Sequence, residues 1–426
     1  MARTARTKAV SNRLRRTGCS LVSRTEWHRS PGGKGHARKE VTMADSPTRR
    51  LKRKLAAAVT SLWRRPKISP EELRALRPVR ILLVRQHNQM GDMVCALPAL
   101  RALQETWPAA ELHLVTSPVN GAVVRDLPYL AGMLTFSQRM WRRPWALLRF
   151  VRAMRRLRCE VAFVLGSVSF SVTSAAIALV SGARWIVGPD SRPYGWDLSH
   201  NLFALELPAS PVVDRPAVEH NLAPLQAVGI DTADHEPRLD PGAESQARAR
   251  QIMADLGLED GFWALHPGAG KCQNVWPADR FAAVAERAVA AGHGVLVMHG
   301  PADGPALTAL KAALGQANSS GVVFAPLLEV AVCSALLARC GRFLGNDTGM
   351  MHVAGAVGTP TVALFGPTDP ALWKPPSPRV IALRSSRRTP DDRGEEFGWM
   401  ENLSIEEVWE AWRDLAPATR TMERDA

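Results

Sequence analysis

LGNDTGMMHVAGAVGTPTVALFGPTDPALWKPP, residues 344–376, is the stretch on which the fold turns. Its start completes a short apolar run, FLGN at 343–346, that predicts a strand. Asp347, Thr348 and Gly349 follow, and a short helix is expected from Met350. Gly358-Thr359-Pro360 then turns the chain into a second apolar run, TVALFG at 361–366. Apolar strands that do not alternate in polarity, separated by helices, belong to parallel sheets covered on both faces. The free N–H groups at the helix start, with the Thr348 hydroxyl, form an anion site suited to a diphosphate. His352 stands in the first turn, either as a further ligand or as a packed core histidine. Gly366-Pro367-Thr368 places another Gly/Thr turn at the next strand end.

The same alternation extends upstream. FWALHPG (262–268) predicts a strand running into a loop, and Trp276-Pro277 opens a helix with proline at its first position. GVLVMHG (294–300), a helix near 304–315, a strand at 321–324 and a helix near 327–340 continue the unit. An earlier unit holds strands at ILLV (81–84), ELHLV (111–115), VAFVL (161–165) and ARWIVG (183–188). Its helices fall at Met93 to Thr106 and, strongly basic, at roughly 142–158. A proline-rich segment at about 190–245 reads as a final helix and linker. The expected fold class is therefore α/β: two Rossmann-like domains, 80–240 and 241–400, facing a cleft, with a helix and tail at 401–426. Ligands of open α/β sheets sit at the carboxyl ends of strands, so the motifs belong in that cleft.

Two more motifs carry chemistry. In RQHNQMGDMVCALPALRAL (85–103) a strand passes through Gly91 into a helix whose start carries Asp92. A carboxylate facing the cleft there can accept a proton from an incoming hydroxyl, although an N-cap role alone would also place it. In HPGAGKCQNVWP (266–277) the small residues Gly268, Ala269 and Gly270 allow close backbone approach to phosphate.

Charge is divided unevenly. Of 54 Lys and Arg and 40 Asp and Glu, residues 1–79 hold 21 and 5, which leaves 33 and 35 for the remainder. The folded body is nearly neutral, which argues against a nucleic-acid-binding core and assigns the basicity to an arm. Residues 1–42 should be disordered, with Met43 as an alternative start. Residues 49–65, RRLKRKLAAAVTSLWRR, line Leu51, Leu55, Val59, Leu62 and Trp63 along one helical stripe, fit to lie on an anionic membrane surface. Neither a spanning apolar run nor a secretory signal is seen. The six cysteines form no C-x-x-C pair and read as reduced thiols of a cytoplasmic protein.

In order and spacing the three motifs resemble glycosyltransferase family 9, the ADP-heptose:lipopolysaccharide heptosyltransferases, over about residues 80–415. The pieces that carry the resemblance are MGDMVCALPALRAL, HPGAG with its following Trp-Pro, and NDTGMMHVAGAVGTPTVALFGPTDP. It implies the GT-B fold and an inverting transfer from a nucleotide sugar, ADP-heptose or another, to a lipopolysaccharide-core or other lipid-linked glycan. Such an enzyme works at the inner face of the cytoplasmic membrane. By the same resemblance Asp92 is the catalytic base and Asp347 lies near the donor sugar. Thr348, Gly349 and His352 form the diphosphate-binding helix start, and Asp303 contacts the ribose. The sequence departs from the family at Asn274, where a lysine usually neutralises the donor phosphates; Lys271, in the same loop, is the candidate substitute. That departure keeps two alternatives in view: an altered-donor or non-catalytic GT-B protein, and a nucleotide-sugar epimerase. Asp347, flanked by Asn346 and Thr348, is a poor Mg²⁺ site, so no obligatory metal or other cofactor is expected.

Overall fold

The computed structural model describes residues 65–86, 89–166, 168–315, 321–386 and 399–416. The expected disordered segment 1–42, the amphipathic helix at 49–65 apart from Arg65, and the last ten residues lie outside them.

The described chain builds two six-stranded parallel sheets. The first contains β1 (Arg80–Arg85), β2 (Glu111–Thr116), β3 (Leu130–Thr135), β4 (Val161–Val164), β5 (Trp185–Pro189) and β6 (Leu205–Leu207), in the order β3-β2-β1-β4-β5-β6. The second contains β7 (Trp263–His266), β8 (Val295–Val297), β9 (Val322–Phe324), β10 (Arg342–Asn346), β11 (Thr361–Phe365) and β12 (Val380–Arg384), in the order β12-β11-β10-β7-β8-β9. Both repeat one doubly wound topology, in which the first and fourth strands are neighbours and the chain departs in opposite directions from them. That switch point is β1/β4 in one sheet, with Val84 opposite Val164, and β7/β10 in the other, with His266 opposite Gly345.

The central strands are apolar because helices cover both faces. Ile81 and Leu83 face one core, and Leu82 and Val84 the other. In the second sheet, Leu265, Val297, Leu344 and Val362 pack beneath the helices Ala278–Ala290 and Ile405–Asp414, with Trp276 and Trp412 fully buried.

Several boundaries depart from the sequence reading. The helix expected from Met93 to Thr106 is two helices, Met90–Cys95 and Leu97–Thr106. Pro98 has no N–H to offer Val94, and the chain breaks at Ala96. Pro277 is the N-cap of Ala278–Ala290 rather than its first residue. The strands β3, β6 and β12 are additional to the sequence reading, and the segment read at about 190–245 as a final helix and linker holds such a helix, Ala217–Gln226, together with β6 and the start of the helix Ala243–Asp255. β3 lies at a sheet edge, and its residues, apolar through Leu134, are only partly covered or exposed.

Candidate active site

The chemistry gathers where the two switch points meet. β1 leaves its last residue, Arg85, buried at the carboxyl end of the first sheet, and the helix Met90–Cys95 begins five residues beyond it. Asp92 is the third residue of that helix, within the first turn, where the positive helix end favours a carboxylate. From the second sheet β10 ends at Asn346, and Thr348 is the N-cap of Gly349–Ala356. These two helices pack directly on each other. A Cβ on Gly91 would lie 2.8 Å from His352 Cδ2, and one on Gly349 would lie 2.8 Å from Met90 Cβ. Each helix thus presents a glycine to a side chain of the other, and no larger residue permits that approach.

Asp92 sits in a low-dielectric environment with nearby positive charge. Burial lifts its carboxyl above the ordinary aspartate value, opposed first by the Arg85 guanidinium and then by His220. Arg85 is held by two bonds from Nη2, to the Asp92 carbonyl oxygen and to Asn221 Oδ1, both 2.9 Å. Its buried Nε has no hydrogen-bond partner. A base with a raised pKa accepts a hydroxyl proton more readily than an ordinary aspartate does.

Asp347 is likewise raised by burial, and the Thr368 hydroxyl, the Lys271 charge and the Asn274 amide act in the other direction. Asn274 Nδ2 donates to Asp347 Oδ2 at 3.0 Å. The Cys95 thiol is pushed up chiefly by burial and further by the charges of Asp92 and, more weakly, Asp347. Thr348 Oγ1 is buried and has no hydrogen-bond partner. A hydroxyl of this kind at a helix N-terminus suits an anionic oxygen.

The 266–275 loop is fixed from below. Asn346 Nδ2 donates to the carbonyl oxygens of Pro267 (3.0 Å) and Gly268 (3.1 Å), and its Oδ1 accepts from the Trp276 N–H at 3.2 Å. Gly268 is required there, since a Cβ would stand 2.0 Å from Asp303 Oδ1. Ala269 and Gly270 follow it toward solvent, and Lys271 is exposed at the loop's outer end.

Two of the expected site residues take other partners. Asp303 is buried at the N-terminus of Gly304–Leu314, paired with His266 Nε2 at 3.0 Å and accepting from the Gly300 N–H at 2.6 Å. Burial opposes its charge, but His266 and the Gly300 N–H outweigh it and hold the carboxyl below its usual value. In this arrangement it braces the loop. His352 is buried between the helices, its Nδ1 3.6 Å from Cys95 Sγ, and burial brings its pKa down to about 4. The histidine packs against Gly91 and so bridges the two helices.

The sequence reading did not single out Arg85, His220, Asn221 or Asn346. Arg85 offered one signal, a charge closing an otherwise apolar strand. His220 and Asn221 lie on the helix Ala217–Gln226, in the stretch read as a final helix and linker.

Two Rossmann-type sheets meeting across a cleft, with a half-buried carboxylate from each side and an unpartnered hydroxyl at a helix start, have the architecture of a GT-B protein. The family model for glycosyltransferase family 9 (heptosyltransferase) matches residues 148–397, and the chain belongs to that family. Lipopolysaccharide heptosyltransferase 2 of Salmonella typhimurium LT2 is 34% identical over 326 residues, covering 71% of this chain and 87% of the relative. Among solved structures, the family 9 glycosyl transferase of Veillonella parvula superposes with a TM-score of 0.66 at 18% identity, covering 82% of this chain and 97% of that one. ADP-heptose lps heptosyltransferase II of Escherichia coli superposes with a TM-score of 0.63 at 21% identity, covering 78% and 97%.

Proposed function

We propose that this glycosyltransferase moves heptose from ADP-heptose, with inversion, to the lipopolysaccharide core or a related lipid-linked glycan. The observation that carries the mechanism is the packing of the helix Met90–Cys95, which bears Asp92, on the helix Gly349–Ala356, which Asp347 precedes by two residues, so that a carboxylate from each domain lies at one junction. The donor belongs to the second sheet. Its diphosphate lies against the N–H groups of Gly349 and Met350 and the Thr348 hydroxyl, with Gly268, Ala269 and Gly270 along the small-residue loop. Lys271 supplies the cation that Asn274 cannot, and Asp347, oriented by the Asn274 amide, accepts from hydroxyls of the donor sugar. The acceptor belongs to the first sheet, where Asp92 takes the proton from the attacking hydroxyl as it displaces the nucleoside diphosphate. Asp303 and His352 support the site from beneath and between, and are not proposed as ligands.

No helix among the described residues is long and apolar enough to cross a membrane. A lipid-borne acceptor instead requires the enzyme to reach the cytoplasmic face of the membrane, and the basic arm is suited to that. The Asn274 departure supports a second reading, in which the donor differs from ADP-heptose. Release of nucleoside diphosphate from ADP-heptose and from GDP- and UDP-sugars, with and without a lipid A-core acceptor, tests both. Acceptor-dependent release of ADP is the expected result. Release from another sugar nucleotide alone would replace the donor, and none from any would leave a binding protein.

A further inference from the structure

The surface between β3 and β4 has no part in the chemistry above, yet its composition is unlike the rest of the folded body. From residue 127 to 159 there are eight arginines and no Asp, Glu or Lys. All eight, Arg139, Arg142, Arg143, Arg149, Arg152, Arg155, Arg156 and Arg158, are exposed. They lie on the 3-10 turn Gln138–Arg142, on the helix Pro144–Arg156 and just beyond it.

The helix buries Phe150 and Met154 against the first sheet and turns the opposite stripe to solvent. That stripe reads Trp145, Leu148, Arg149, Arg152 and Arg156, at helical spacing. Trp145 is 76% exposed and Trp141 53%, high values for tryptophan, and Leu148 beside them is 37% exposed. Trp141 does not swing freely, since it packs edge-on against Phe136 at 5.7 Å. Two tryptophans and a leucine within a field of arginines match the headgroup–acyl boundary of an anionic bilayer. Apolar side chains enter that boundary while guanidinium groups meet phosphates. A nucleic acid offers the phosphates but no apolar phase for Leu148.

Position adds to composition. In a parallel β-α-β unit the crossover helix starts at the carboxyl end of the sheet, the end at which β1 delivers the Asp92 helix. Trp141 and Trp145 therefore stand at the acceptor-side rim of the cleft. At the helix's other end, roughly 20 Å away, Arg155 Nε donates to the Val180 carbonyl oxygen at 3.0 Å. Arg65 Nη1 donates to the Ala183 carbonyl oxygen, in the same loop, at 2.9 Å. Arg65 follows directly on residues 1–64, which carry 17 Lys and Arg against 3 Asp and Glu. The basic arm thus joins the fold beside the basic helix.

We propose that the helix Pro144–Arg156 and the turn before it are a membrane-docking surface of the folded body, seating the acceptor-side rim on anionic phospholipid. The inference deepens the proposed function by saying how a lipid-borne acceptor is met. Vesicle partition of the full-length chain is measured with phosphatidylglycerol and with phosphatidylcholine vesicles. Arg149→Glu/Arg152→Glu/Arg156→Glu is expected to lower partition onto phosphatidylglycerol at least about tenfold. Trp141→Ala/Trp145→Ala should lower it at least about fivefold and reduce quenching of tryptophan fluorescence by brominated lipid. Arg149→Lys/Arg152→Lys/Arg156→Lys, which keeps the charge, should restore binding. Transfer to a delipidated, water-soluble acceptor should be unchanged in all three. Parent-like partition in both the glutamate and the tryptophan variants overturns the proposal. Loss in the glutamate variant alone marks a general polyanion surface and overturns the bilayer assignment. Failure of transfer in the parent protein overturns the proposed function and leaves the vesicle result standing.

Discussion

Lys271→Ala isolates the charge on which donor binding is expected to depend. Asn274, at the position where the family usually carries lysine, is buried and occupied with Asp347, to which its amide donates at 3.0 Å. Lys271 is close enough to Asp347 to work against the burial that raises its carboxyl. A charge-assisted hydrogen bond contributes about 1.5–3 kcal/mol. Lys271 is exposed, so solvent screening places it at the lower end. A loss of about 1.5 kcal/mol is roughly a tenfold rise in the dissociation constant. Titration calorimetry with ADP should show that loss in Lys271→Ala. The loss should shrink as ionic strength rises from about 0.05 to 0.3 M and the Debye length contracts. Asn274→Lys should change affinity by less than about threefold, because its ammonium would pair with Asp347 where phosphate charge is already met. The reverse pattern, a neutral Lys271→Ala and a tenfold gain from Asn274→Lys, would refute the substitution of one cation for the other.

Asp92→Asn should lower turnover by at least about 100-fold with donor affinity unchanged; near-normal turnover removes Asp92 from the base role. The raised carboxyl of Asp92 contributes stability while protonated, below its unfolded value near 4, and that contribution is lost as pH rises through the higher folded value. Asp92→Asn should therefore melt at a higher temperature than the parent at pH 7 and lose that advantage below about pH 4. Thr348→Val removes a buried hydroxyl that has no partner, so it should stabilise the unliganded protein by about 1 kcal/mol and weaken ADP binding. Thermal unfolding paired with calorimetry checks this, and unchanged ADP affinity would take Thr348 out of the site.

Much of the fold is legible in the chain itself, because its signals are local. Ile81 to Val84 and Val362 to Phe365 are apolar at successive positions, the mark of a strand covered on both faces. Small residues at 268–270 and 347–349 lie directly after such strands, and that adjacency alone places them at the carboxyl edge. Edge position is not marked locally: Leu130–Thr135 and Val380–Arg384 carry apolar runs like the central strands, and their place at the sheet edges is set by pairing with β2 and β11.

The strand–helix rhythm, the strand-end motifs and the segregation of charge into an N-terminal arm are properties of neighbouring residues, and for these the amino-acid order is sufficient. What each site residue touches is decided between residues far apart in the chain. His352 reaches Cys95 across 257 positions, Asn274 reaches Asp347 across 73, and Arg85 reaches Asn221 across 136. Nothing in the local pattern around His352 distinguishes a phosphate ligand from a packed side chain. The close approach of two helices through Gly91 and Gly349 removes it from solvent and makes it neutral. Asp303, the expected ribose contact, likewise has its nearest partner, His266, only in the folded chain, under a glycine loop. Burial and partnership set the protonation and the availability of each group, and both arise only when the two sheets pack.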